Sequence, residues 1–87
     1  MSYAIGERFV ARQIGDSVVV VEYETGVYWT LNETATAIWK AATAGTTAPA
    51  IAEDLVAAFE ISPGEATSDV EAFLRHCVER AMLVPSA

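Results

Sequence analysis

The sequence predicts an α+β domain of the winged helix-turn-helix kind: a three-stranded antiparallel β-meander followed by three α-helices. Three observations predict it. Two turn signals, "IGDS" at Ile14–Ser17 and "ETGV" at Glu24–Val27, lie between runs rich in Val, Ile, Tyr and Phe. After Asn32 the apolar spacing changes from strand-like to helical. With 87 residues the chain has room for one core, so residues 1–87 are read as a single domain whose helices cover one face of the small sheet.

The strands are expected near Phe9–Gln13, Val18–Tyr23 and Val27–Leu31. In a meander the valine-rich run "VVVV" at Val18–Val21 becomes the middle strand, and the third strand lies at an edge. Alternation places Trp29 on one face with Val27 and Leu31, joining Trp39 in the core, while Tyr28 and Thr30 point the other way. The four consecutive valines are apolar on both faces, more than one core requires.

Asn32 is a good N-cap for the first helix, whose apolar side holds Ala35, Ile38, Trp39 and Ala42, with Thr34, Thr36 and Lys40 elsewhere. Gly45 ends it. A second helix opens at about Thr47, tolerates Pro49 in its first turn, and carries Ile51, Leu55, Ala58 and Phe59 as its stripe. Two capping boxes compete for the third helix: Ser62 with Glu65, helped by Pro63, and Ser68 with Glu71. The last helix presents Val70, Phe73, Leu74, Cys77, Val78, Ala81 and Met82, a stripe broader than one packing seam needs.

Composition excludes several classes. The hydrophobic fraction of 53% argues against disorder, yet no run reaches the ~20 apolar residues of a membrane span, and "MSYAIGERFV" lacks a signal segment, so a cytoplasmic protein without a membrane partner is expected. One cysteine forms no internal disulfide. Twelve acidic residues outweigh five basic ones, and no Lys or Arg occurs between Ala41 and Leu74. That balance opposes a nucleic-acid partner, which requires cations for phosphates.

Catalytic patterns are missing. One His and one Cys are too few for a structural zinc site, and His76 and Cys77, adjacent on a helix, diverge by about 100°. No phosphate loop or nucleophile elbow is present. The expectation is a non-catalytic protein without metal or cofactor.

The edge strand carries the functional signal. Soluble proteins blunt an edge with Lys, Pro or a bulge, and Val27–Leu31 has none. Either the termini cover it or another chain pairs with it. If Val70, Leu74, Val78 and Ala81 pack inward, Asp69, Phe73, His76, Cys77 and Arg80 form an adjoining flank, one wall of a groove whose other wall is the edge strand. Such a groove takes an extended peptide by strand addition.

The runs "TGVYWTLNETATAIW", "AGTTAPAIAEDLVAAFEI" and "DVEAFLRHCVERAML" resemble the PqqD-like proteins, or RiPP recognition elements, over about Val18–Val84. The most specific pieces are Leu31-Asn32 with Thr34-Ala35 and Ile38-Trp39, and Asp69-Val70 with Phe73-Leu74. The resemblance implies a winged-helix-like domain that binds the leader segment of a ribosomally made precursor peptide and presents it to a modifying enzyme. In that family the leader adds beside the third strand and lies against the third helix. Carried over, the strand partner is Val27, Tyr28, Trp29, Thr30 and Leu31, and the helical wall is drawn from Asp69, Phe73, Cys77 and neighbours among Val70, Leu74, His76 and Arg80. Members serving pyrroloquinoline quinone biosynthesis resemble "PER" before the Leu-Asn pair, where this chain reads "ETGVYWT"; Leu is common at Cys77 and Gly at Ala81. These departures favour another peptide pathway, a lasso-peptide leader peptidase being the first choice of partner and a radical SAM maturase the next.

Two other classes compete. The element order permits a winged-helix DNA-binding regulator, against the charge balance. A structural homo-oligomer, as a homodimer, would cover the extra valine face.

Overall fold

The computed structural model describes residues 2–86. In chain order it contains β1 (Ser2–Ile5), β2 (Phe9–Ile14), β3 (Ser17–Glu22), β4 (Tyr28–Thr30), α1 (Glu33–Thr43), α2 (Ala48–Phe59), α3 (Pro63–Glu79) and β5 (Leu83–Ser86). Strands β2, β3 and β4 form the expected antiparallel meander with β3 in the middle and β4 at an edge. The α+β, winged-helix-like reading therefore holds. One sheet escaped it: β1 pairs antiparallel with β5, in a register running from Ser2 opposite Ser86 to Ile5 opposite Leu83. The two segments lie at opposite ends of the chain, and each is four residues long. Neither has enough alternation to stand out alone, and only their pairing makes them strands.

This terminal ribbon is fastened to the end of α3. The Gly6 amide donates to the Met82 carbonyl at 3.0 Å, and a Cβ on Gly6 would collide with the Ala81 carbonyl oxygen. Only glycine allows that approach. The termini thus cover each other and leave β4 alone.

The capping residues act as their chemistry dictates. Asn32 accepts from the Ala35 amide at 2.8 Å. Beyond α1, Gly45 (φ 94°) donates to Ala42 and Thr46 to Ala41, the paired bonds of a Schellman ending. Pro49 sits in the first turn of α2 after Thr47. Ser62 accepts from the Glu65 amide at 3.1 Å and Pro63 opens α3, which resolves the competing boxes in favour of the earlier one.

One core joins all layers: Phe9, Val18, Val20 and Leu31 from the sheet side, Ile38, Trp39 and Ala42 from α1, Ile51, Ala52 and Leu55 from α2, Ala66, Val70, Leu74 and Cys77 from α3, then Met82 and Leu83. The expected inward face of α3 needs correcting. Cys77 is fully buried, whereas Val78 and Ala81 are exposed. Starting from Ala66, the eleven residues to Cys77 return to nearly the same helical line, about 20° away, while Val78 falls about 120° away at ~100° per residue. Ala81 leaves the stripe altogether because α3 has already ended. Its φ is 60°, with Ala81 donating to Val78 and Met82 to Cys77 in a second Schellman turn.

Smaller corrections have similar causes. Ala52 is buried in place of Ala58, which is exposed. Val27 precedes β4 and is 49% exposed, so it does not join Trp29 and Leu31 inside. Thr36, read as lying off the apolar face, is buried because its hydroxyl has two backbone partners there.

The second valine face is now placed. Register sets Val21 between Val10 and Tyr28, and Val19 between Arg12 and Thr30. Val19 and Val21 are half-buried, on the face opposite the buried Val18 and Val20.

Candidate functional site

The open edge is defined by which β4 groups are already used. The Glu22 amide donates to Val27 and the Leu31 amide to Val18, each at 2.9 Å. In an antiparallel ladder the bonded pairs alternate, so the Val27 carbonyl, both polar groups of Trp29 and the Leu31 amide are spent on β3. Tyr28 and Thr30 therefore turn their N–H and C=O groups to the free side. Both are exposed, Tyr28 at 65%.

Three features hold this edge in place. Thr25 accepts from the Val27 amide at 3.3 Å and donates to Glu22 at 2.9 Å, shaping the turn before β4. The Trp29 ring lies 6.0 Å from that of Phe9, tilted by 47°. At the far end the Thr36 hydroxyl accepts from the Val18 amide and donates to the Leu31 carbonyl, both at 3.2 Å. The strand is anchored on its inner side and free on its outer side.

Beyond β4 a groove of about 440 Å³ opens between the start of α1 and the flank of α3, lined by Asn32, Thr34, Ala35, Ile38, Asp69, Ala72, Phe73 and His76. The backbones of β4 and α3 do not approach each other closely. Phe73 is half-buried at the wall, with Asp69 and His76 exposed beside it. Arg80 caps the end of α3, and its Nε donates to His76 Nε2 at 3.0 Å.

The expected site residues separate into two groups. Tyr28, Thr30, Asp69, Phe73, His76 and Arg80 are at or near the surface, with Val27 beside them and Trp29 half-buried. Val70, Leu74, Cys77 and Leu31 lie in the core and can only back the walls. For Cys77 this corrects the expectation that it faces the groove; burial also pushes its thiol up from 9.0 to about 12, leaving it protonated and poorly nucleophilic. Sequence reasoning had not assigned Asn32, Thr34, Ala35, Ile38 or Ala72 to the groove. The available signal was position: the first turn of α1 follows the edge strand with only Leu31 and Asn32 between them.

Among the described residues there is no group of three or more His, Cys, Asp or Glu arranged to hold a metal ion, and no helix long and apolar enough to cross a membrane. The geometry describes a small α+β domain with an exposed main-chain edge beside a partly apolar groove.

Comparison with known proteins agrees with that class. The family described as coenzyme PQQ synthesis protein D (PqqD) matches residues 17–83, and the chain belongs to it. Two solved structures share the fold. TbiB1 in complex with the TbiA(beta) leader peptide is 25% identical, with a TM-score of 0.83, covering 100% of this chain and 99% of that one. Lasso peptide synthetase B1 complexed with the leader peptide is 24% identical, with a TM-score of 0.88, covering 98% of this chain and 100% of that one. No curated protein matches the chain.

Proposed function

We propose that this protein is a non-catalytic recognition protein that binds the leader segment of a ribosomally synthesised precursor peptide and presents it to a modifying enzyme. The leader adds as a strand to β4, bonding Tyr28 and Thr30, and its side chains reach the groove formed by Asn32, Ile38, Asp69, Phe73 and His76. The observation that carries this reading is the combination of two unpaired backbone positions on β4 with a groove that opens at Asn32 and Thr34, just past the end of the strand. Main-chain bonds supply the affinity and the groove selects side chains.

Family membership and the leader-bound neighbours support the same reading. With a lasso peptide synthetase among those neighbours, a lasso-peptide leader peptidase is the first choice of enzyme partner and a radical SAM maturase the second. The test is a titration with the synthetic leader of the precursor encoded beside this chain, followed by amide shifts. Tyr28 and Thr30 should move most, with Asp69, Phe73 and His76 following. Unchanged amides along Val27–Leu31 at saturating peptide would reject the site.

A homodimer is the second reading, favoured by the outer sheet face, where Val10 is 38% and Tyr28 65% exposed. Sedimentation distinguishes the two. A monomer that binds one leader excludes self-pairing through this face.

A further inference from the structure

The α3 flank beside the groove is electrically polarised along its length. Glu65, Asp69, Phe73, His76 and Arg80 follow one another at spacings of four, four, three and four residues, which keeps them on one side of a helix. Both carboxylates come first, the aromatic ring stands in the middle, and the imidazole and guanidinium come last. At the acidic end Glu33, the first residue of α1, adds a third exposed carboxylate next to the groove-lining Asn32 and Thr34.

Helix electrostatics accounts for only part of this order. A carboxylate in the first turn and a cation at the C-cap offset the helix dipole, which explains Glu65 and Arg80. That effect fades beyond the terminal turn, so Asp69, in the second turn, falls outside it. Nor is either end neutralised within the chain. Among the described residues the one ion pair joins Arg8 to Glu22, at 3.6 Å.

The two ends can be placed against β4. Asp69 and Phe73 share the groove with Asn32 and Thr34, just past the end of the strand. Ala81, next to Arg80, lines a surface depression with Gly6 and Phe9, and the register sets Phe9 opposite Glu22, whose amide bonds the Val27 carbonyl just before β4. Along the strand direction the acidic end of α3 thus lies toward the end of β4 and the Arg80 end toward its beginning. Strand and helix run in opposite directions along the channel.

We propose that this polarity selects the charge pattern of the bound peptide: a cationic side chain opposite Asp69 and an anionic one opposite Arg80. The eleven residues from Asp69 to Arg80 (80 − 69) span about 16 Å at ~1.5 Å per helical residue. An extended peptide covers that in about five residues at ~3.3 Å each. A leader that pairs antiparallel to β4 carries its Lys or Arg first and its Asp or Glu about five positions later. This inference rests on the strand-addition reading and adds orientation and register to it.

The experiment is a charge-swap matrix on the full chain at low and high salt. The probe is the synthetic leader, with its cation changed to Glu, its anion changed to Lys, or neither. Asp69→Lys and Arg80→Glu should each weaken the unmodified leader roughly two- to fivefold, as exposed ion pairs do. Each loss should be reversed only by the peptide swap at the matching end, and salt should shrink both effects. If the leader binds the wild-type protein but the protein swaps change nothing, or either peptide swap rescues either variant, the polarity inference is overturned while the site stands. If the unmodified leader does not bind, the strand-addition reading itself is overturned, and the inference with it.

Discussion

The Thr36 hydroxyl accepts a 3.2 Å hydrogen bond from the Val18 amide, across 18 residues of sequence. The same oxygen donates to the Leu31 carbonyl, so one α1 side chain closes the end of the β3–β4 ladder where the chain turns away from the sheet. Both bonds are buried. The open outer side of β4 depends on this closed inner side, because a strand of three residues has little else to hold its register.

Thr36→Val keeps the shape and removes both bonds, leaving a buried N–H and a buried C=O without partners. Each unsatisfied group costs about 1–3 kcal/mol, so a loss of roughly 2–4 kcal/mol in denaturant unfolding is expected. Thr36→Ser should recover most of it. Exchange of the Val18 amide should accelerate in the valine variant beyond what global destabilisation explains.

Adjacent residues of β4 should respond oppositely to proline. Tyr28 has an outward N–H, and proline is tolerated on the free side of an edge strand. Tyr28→Pro should therefore weaken leader binding by tenfold or more with little loss of melting temperature. Trp29→Pro removes a ladder bond and the ring against Phe9, and should destabilise the fold by about 3 kcal/mol or more. Equal losses of stability in the two variants would place Tyr28 in the ladder.

The Gly6 and Ala81 pair predicts opposite signs at one contact. Gly6→Ala drives a Cβ into the Ala81 carbonyl, a backbone atom that cannot move without opening the β1–β5 pair. A loss of about 2–4 kcal/mol is expected. Ala81→Gly should instead stabilise by about 1 kcal/mol, since Ala81 holds φ 60° at a position where glycine is free of strain. Thermal unfolding of both variants is sufficient.

Cys77 should resist alkylation at pH 8 in the folded protein and react once the chain is unfolded. Its thiol is pushed up to about 12 from 9.0 by burial. Between those values the folded state holds the proton more tightly than the unfolded state, so stability falls as pH rises from about 9 towards 12. Below 9 the residue adds no pH dependence. Cys77→Ala should be less stable overall, with a shallower decline above pH 9, measured by unfolding at stepped pH.

The meander, the cap at Asn32 and the ending at Gly45 were legible because each depends on neighbours a few residues away, whereas Ser62 and Ser68 competed as caps of α3 until the fold chose Ser62. The lack of edge guards at Val27–Leu31 was legible too, since a missing Lys, Pro or bulge is a local fact. The broad stripe on α3 suggested a groove wall, and the family resemblance pointed to the same helix. What could not be read locally was the rotation of that helix: the residues from Val70 to Met82 present more apolar positions than one seam uses, and only packing against α1 and α2 selects Cys77 over Val78.

By itself, the sequence determined the kinds and order of the central elements, the acid-rich charge balance and the edge strand without guards. Local sterics, caps and hydrophobic periodicity act over a few residues, so the chain states them directly. The tertiary structure alone decided that β1 and β5 pair with each other rather than with β4, that Thr36 serves the sheet, and that Asn32, Ile38 and Phe73 meet in one groove. Those outcomes require groups far apart in sequence to compete for the same partners and the same volume, and the competition is settled only when the whole core closes.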